Sequence, residues 1–440
     1  EVTHACGGGY TDCTTNDGLD GLPPGPDANV YRYVDGFIRD VPCYLNVDGC
    51  PPGSHFDLNP DGTVNFDPAF KTDVPFRCLI PNSANSGGTG VPGRVGIFGH
   101  GVLGSYAQIW AQAALANETG QTWCATNWAG FSNPDLVPGL MPAMSDLSNF
   151  YKLVDRMQQG FVNFMMLGRA AIHPAGLATK PEFQIGGVPV IDVSDGDDTR
   201  LLYMGISQGA VMGAALTALQ PDVDYAVLGV PTINYSTILR RSIDFDQYAA
   251  IPGFGLWANY PDEEVRPLGL GMIQLLWDRG EGNGYAQNLR AGNELPNTPP
   301  HQVLMAVAVG DPQVPTVASE VEARTIGARL YSPTVHPGRH SDVDPFMGIE
   351  LVDPPITSGN TMVYYDGGPP SFTGTLGQGT EINPPMNVPG RPEWGFGGDS
   401  HYYPWQSEDG IRHESTFLAG NGVPACLSGD YCYSNGWTGP

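Results

Sequence analysis

Lysine is nearly absent from this chain: 440 residues include three, Lys71, Lys152 and Lys180. Basic residues as a class are few, with 20 Lys and Arg against 46 Asp and Glu and a formal net charge of −26. Such a surface repels nucleic acid and anionic membranes, so neither is expected as a partner. Long apolar runs are missing as well. No stretch of eighteen hydrophobic residues occurs, and no transmembrane segment is expected. The chain begins Glu1-Val2-Thr3, without a charged n-region or an apolar h-region, so an exported form would already have lost its signal. Hydrophobic residues nonetheless make up 41% of the chain. That excludes a disordered protein and suffices for a large core, in a chain longer than most single domains.

Eight cysteines are present: Cys6, Cys13, Cys43, Cys50, Cys78, Cys124, Cys426 and Cys432. An even number containing close pairs reads as disulfides made outside the cytoplasm, in a secreted, periplasmic or cell-surface protein. Zinc is the rival reading. The close pairs, however, have gaps of six and five residues, and no histidine follows at ligand spacing. Short separations favour Cys6–Cys13, Cys43–Cys50 and Cys426–Cys432, which leaves Cys78–Cys124 by elimination.

The chain changes character along its length. Residues 1–30 are rich in Gly, Pro, Asp and Thr and read as an irregular, disulfide-held arm. Residues 31–93 carry short alternating runs, at Tyr31–Ile38, His55–Leu58, Val64–Phe66 and Phe76–Ile80, which predict antiparallel strands joining the main sheet. Within them Asp57, Asn59, Asp61 and Asp67 place oxygen side chains as the first part of a calcium loop does, but Pro68 stands where a bidentate Glu belongs. A hairpin turning at 59–62 explains the same residues without metal; a structural calcium is the second reading. No other cofactor is expected.

From Arg94 onward strands and helices alternate. Strands are expected at Val95–Phe98, Trp123–Thr126, Leu201–Ile206, Tyr225–Val230, Val303–Val309 and Thr361–Tyr365. Helices are expected at Tyr106–Asn117, at Asp146–Ile172 with a break at Gly160, at Val317–Gly327 and at Glu408–Leu418. This pattern predicts an α/β fold with a mostly parallel central sheet covered by helices on both faces, occupying residues 94–440. Two segments interrupt it: an apolar insertion at 235–300 and a Gly- and Pro-rich loop at 367–400. Long insertions in compact domains are often lids, and a satellite subdomain accounts for the first equally well.

The chemistry concentrates at Gly205-Ile206-Ser207-Gln208-Gly209, where a short apolar run passes directly into an Ala- and Gly-rich helical stretch. This is G-x-S-x-G between a strand and a helix, the context in which a serine becomes an exposed nucleophile. Gly205 and Gly209 are required because bulkier residues two positions either side would collide with neighbouring elements. Upstream, Gly99-His100-Gly101-Val102-Leu103-Gly104-Ser105 ends the first parallel strand. Its glycines allow backbone N–H groups to approach a tetrahedral oxyanion, with Val102 and Gln208 as the expected donors. Downstream, Asp311 follows a buried strand, where the acid of a Ser…Asp…His order belongs. Four histidines come later: His336, His340, His401 and His413. The first two precede the last expected strand, and His413 lies inside a helix. His401, on a loop after that strand, is the expected base, so activity should fall as pH drops through about 6.

The stretches GHGVLGS at 99–105, WCATNWAGFS at 123–132, GISQGA at 205–210 and VGDPQVP at 309–315 resemble secreted bacterial α/β-hydrolases of the esterase and lipase group. The resemblance implies a Ser–His–Asp hydrolase acting on carboxylic esters, with a small-molecule, lipid or polymer ester as substrate and no protein partner. A serine peptidase on the same fold is one alternative. A catalytically inactive hydrolase fold serving as a secreted binding protein is another.

Overall fold

In the computed structural model the described residues are 1–11, 28–340, 343–368, 400–434 and 436–439. They group into two compact units, Glu1–Gly209 with Gln220–Asp224, and Ala210–Leu219 with Tyr225–Pro440. Among them no helix is long and apolar enough to cross a membrane.

The first unit carries β1 (Val2–Gly7), β2 (Val30–Pro42), β3 (Lys71–Pro81), β4 (Val95–Gly99), β5 (Thr122–Ala125) and β6 (Leu201–Ile206). Their order in space is β6-β4-β5-β3-β2-β1. β6, β4 and β5 pair in parallel, and every residue of the three is buried. Strands covered on both faces tolerate no polar alternation, which explains their continuous apolar runs. β5–β3, β3–β2 and β2–β1 are antiparallel, so residues 30–42 and 71–81 extend the sheet. The runs at 55–58 and 64–66 form no strands, however; a single bridge joins Leu58 to Val64. Between them the Asn59 N–H donates to Thr63 O at 2.8 Å and Gly62 N–H to Asn59 O at 2.9 Å, the bonds of a tight hairpin turn. Asp61 accepts from the Thr63 amide and hydroxyl, and Asp67 from the Ala69 amide.

Helix α1 (Ala113–Thr119) is preceded by a tighter helical stretch, Tyr106–Gln112, rather than starting at Tyr106. Ser105 caps that stretch by accepting from the Ala107 amide. Helix α2 runs unbroken over Phe150–Ile172, correcting the expected break at Gly160. A Cβ there would lie 3.0 Å from Ala129 O, so this glycine serves close packing, not a kink.

The second unit begins with most of α3 (Gln208–Leu219) and carries most of β7 (Val223–Gly229), then α4 (Val265–Trp277), β8 (Gln302–Ala308), α5 (Thr316–Ile326), β9 (Arg329–Tyr331), β10 (Leu351–Val352), β11 (Thr361–Asp366), α6 (Glu408–Leu418) and β12 (Cys432–Tyr433). The order is β10-β9-β11-β8-β7, with β12 beside β11, and each of these pairings is parallel.

Disulfides join Cys43–Cys50, Cys78–Cys124 and Cys426–Cys432. Cys6 is also disulfide-bonded, while its expected partner Cys13 lies outside the described residues. Most of the 367–400 loop lies outside them as well.

Candidate active site

β6 delivers Ser207 straight onto a turn with φ 58°, and α3 starts at the next residue. A non-glycine residue in the left-handed region is strained and persists only where its surroundings hold it. Here they do. A Cβ on Gly209 would lie 2.0 Å from Gly99 O, and one on Gly205 would lie 2.1 Å from Gly209 O. The Tyr203 hydroxyl donates to Gly209 O from the buried strand at 2.5 Å. The two glycines of the motif are therefore set by backbone contact of the helix start with the β4 end, at Gly209, and with the β6 end, at Gly205.

The loop after β4 is equally constrained. Trp128 N–H donates to His100 Nε2 at 2.9 Å, which makes Nε2 the acceptor and Nδ1 the protonated atom. That Nδ1–H donates to Gly101 O at 2.8 Å. His100 is thus a neutral bracket for the loop. Gly101 N–H donates to Gln108 Oε1, Leu103 N–H to Phe131 O and Gly104 N–H to Gly101 O. The Val102 N–H has no hydrogen-bond partner among the described residues. Leu103 itself adopts φ 49°.

Asp311 sits on the loop after β8. Its Oδ1 accepts from the Gln313 and Val314 amides at 2.8 and 2.9 Å, and its Oδ2 lies 2.8 Å from His401 Nδ1. A carboxylate only accepts, so Nδ1 carries the proton and Nε2 is left as the basic atom. Both side chains are buried, and Tyr402 and Trp405 pack edge-on against the imidazole.

No known family's sequence profile matches the chain, and no curated protein matches it. Among solved structures it is similar to acetyl xylan esterase 1 from a Thermoanaerobacterium species, at 15% identity over 68% of this chain and 74% of that one, TM-score 0.35. It is also similar to a hyperthermophilic esterase from the archaeon Pyrobaculum calidifontis, at 12% identity over 76% and 75%, TM-score 0.31. An acylaminoacyl peptidase from Pyrococcus horikoshii matches at 12% identity over 76% of this chain and 36% of that one, TM-score 0.35. The parallel strands, and the turn by which β6 passes through Ser207 into α3, decide the architecture. The chain has the α/β-hydrolase fold.

Elsewhere in this α/β-hydrolase fold the other late histidines are engaged differently. His413, on α6, is buried with Nδ1 2.9 Å from the Tyr365 hydroxyl, and burial pushes its pKa down to about 3. It lies with Cys426 and Cys432 at metal-ligand distances, but those sulfurs are joined to each other. His340 pairs with the buried Glu320 at 2.9 Å, and Tyr364 donates to the same oxygen. His336 bonds the Tyr433 hydroxyl and stacks on Tyr431.

Sequence reading missed the bracing behind the loop after β4. The buried Asp135 accepts from the Gly130 amide, the Ser132 hydroxyl and the Arg156 guanidinium, and so holds the segment that carries Trp128. It also missed two buried acids of the second unit. Glu281, at the root of the insertion, accepts from the Asn234, Tyr235 and Asn283 amides and from Gln274 Nε2; burial still pushes its pKa up to about 7. Glu322 on α5 is fully buried, and neither of its oxygens has a hydrogen-bond partner among the described residues. Burial, reinforced by the Glu281 charge, pushes its pKa up to about 8.

Proposed function

We propose that this α/β-hydrolase cleaves carboxylic esters through an acyl-enzyme, with Ser207 as nucleophile, His401 as its base and Asp311 as the group that orients the imidazole. The observation that carries this reading is the buried His401–Asp311 pair, which presents Nε2 as a base of defined tautomer. Ser207, on the strained turn between β6 and α3, is the residue such a base would activate. His401 takes the hydroxyl proton as Oγ attacks the ester carbonyl. The tetrahedral oxyanion accepts from the Val102 and Gln208 amides, and the histidine then returns the proton to the departing alkoxide. Water, deprotonated by the same imidazole, attacks the acyl carbon; the bond to Ser207 Oγ breaks, the proton passes to Oγ and the acid is released. No metal or organic cofactor enters this sequence.

The net charge of −26 favours uncharged over anionic substrates. The disulfides support an oxidising compartment, outside the cytoplasm.

The test compares p-nitrophenyl esters of graded acyl length with peptide anilides, alongside labelling by a fluorophosphonate. Ester turnover and labelling are expected for the native chain and neither for Ser207→Ala. Faster cleavage of anilides would make the protein a peptidase. Absence of labelling in the folded native chain would make it a non-catalytic binding protein.

A further inference from the structure

Helix α4 is apolar on two opposite sides. Leu270, Ile273 and Trp277 are buried, and the Trp277 ring stacks on Tyr235 at 4.1 Å. On the other side Val265, Leu268, Met272 and Leu275 are 48%, 66%, 65% and 76% exposed. A helix lying on a protein surface ordinarily turns charged side chains to that side. The steps between the four are three, four and three, the a/d spacing of a helix–helix seam. Gly271 lies on the same exposed side, and a Cβ there would meet nothing within 4 Å, so a second backbone has room to approach.

We propose that this stripe is the contact face of a homodimer, in which two copies of α4 pack antiparallel about a two-fold axis near position 270. An isologous contact must be complementary to itself. The stripe satisfies this, because inversion about 270 sets Val265 against Leu275 and Leu268 against Met272 of the second copy. Charge selects the same direction. Asp262, Glu263 and Glu264 are exposed just before the helix, Arg266 in its first turn pairs with Glu263, and Asp278 and Arg279 follow its end. Antiparallel packing opposes the helix dipoles and keeps the two acidic ends apart, whereas parallel packing would set acid against acid.

Sedimentation equilibrium of the full chain over a concentration series tests this. The native chain is expected to dimerise. Leu268→Asp and Leu275→Asp should each weaken the dimer about a hundredfold or more, as loss of a central apolar anchor does. Both side chains are exposed, so far-UV dichroism should stay unchanged, as should the melting temperature at dilutions where the native chain is itself monomeric. Val137→Asp, at an equally exposed apolar position of the first unit, should leave the dimer intact. A native chain that stays monomeric throughout, or a dimer that Leu268→Asp leaves unaltered, overturns the proposal. A monomer that adsorbs to phosphatidylcholine vesicles, and loses that on Leu268→Asp, overturns it in favour of a lipid surface.

Discussion

His401 and Asp311 stand 90 positions apart in sequence and are joined by a buried 2.8 Å hydrogen bond. Asp311→Asn exchanges an acceptor for a group that donates to Nδ1, and so favours the wrong tautomer. Ester turnover is expected to fall by about ten-thousandfold while the fold survives. His401→Ala should abolish turnover, whereas His340→Ala and His336→Ala should keep it. Steady-state kinetics at matched folded fractions decides; near-native activity in Asp311→Asn would remove the orienting role.

Ser207 holds a φ of 58°, which an L-residue adopts at a cost and glycine does not. Ser207→Gly should therefore raise unfolding free energy by about 1 kcal/mol. Ser207→Ala, which keeps the strain, should leave stability nearly unchanged. Paired denaturant melts distinguish the two, and equal stability of both variants would show that the turn is unstrained.

Gly209→Ala should be severe. Its Cβ would meet the Gly99 carbonyl at 2.0 Å, and neither backbone can yield without moving β4 or α3. The expected loss is about 3 kcal/mol or more, or failure to fold. An alanine variant that melts with the native chain would disprove this packing.

Glu322 ties stability to pH. Its carboxyl ionises near 4.5 when the chain is unfolded and near 8 when folded, so the folded state holds a proton that the unfolded state has released across that window. Its contribution is fully present below about 4.5 and is lost progressively as pH rises through about 8. Glu322→Gln removes this dependence. Its melting temperature, relative to the native chain, should therefore climb as pH rises from about 4.5 to about 8. Glu281→Gln should instead destabilise, because an amide nitrogen cannot accept the bonds that converge on Glu281. A constant difference between Glu322→Gln and the native chain over this range would contradict the burial argument.

Much of the fold was legible in sequence because its signals are local. The runs at β4, β6 and β8 are continuous and apolar, which is what strands covered on both faces require. The G-x-S-x-G turn announced itself because the strand, the serine and the helix are contiguous. The boundaries of α5 and α6 followed the apolar pattern closely. Gly160 misled, since a glycine that admits another backbone looks in sequence the same as one that breaks a helix.

By itself, then, the sequence determined the strand–serine–helix turn and the order in which an acid and a histidine follow it. Asp311 and His401 were already singled out in sequence, whereas tertiary structure alone decided that His340 belongs to Glu320 and His413 to Tyr365. It also decided that Asp135 braces the loop after β4, and that Glu322 lies fully buried while four apolar side chains of α4 face outward. Each of these depends on which surfaces meet after the chain has closed over tens of residues. A hydrogen bond or a buried charge is a property of that meeting, and neither partner's neighbours in sequence carry a record of it.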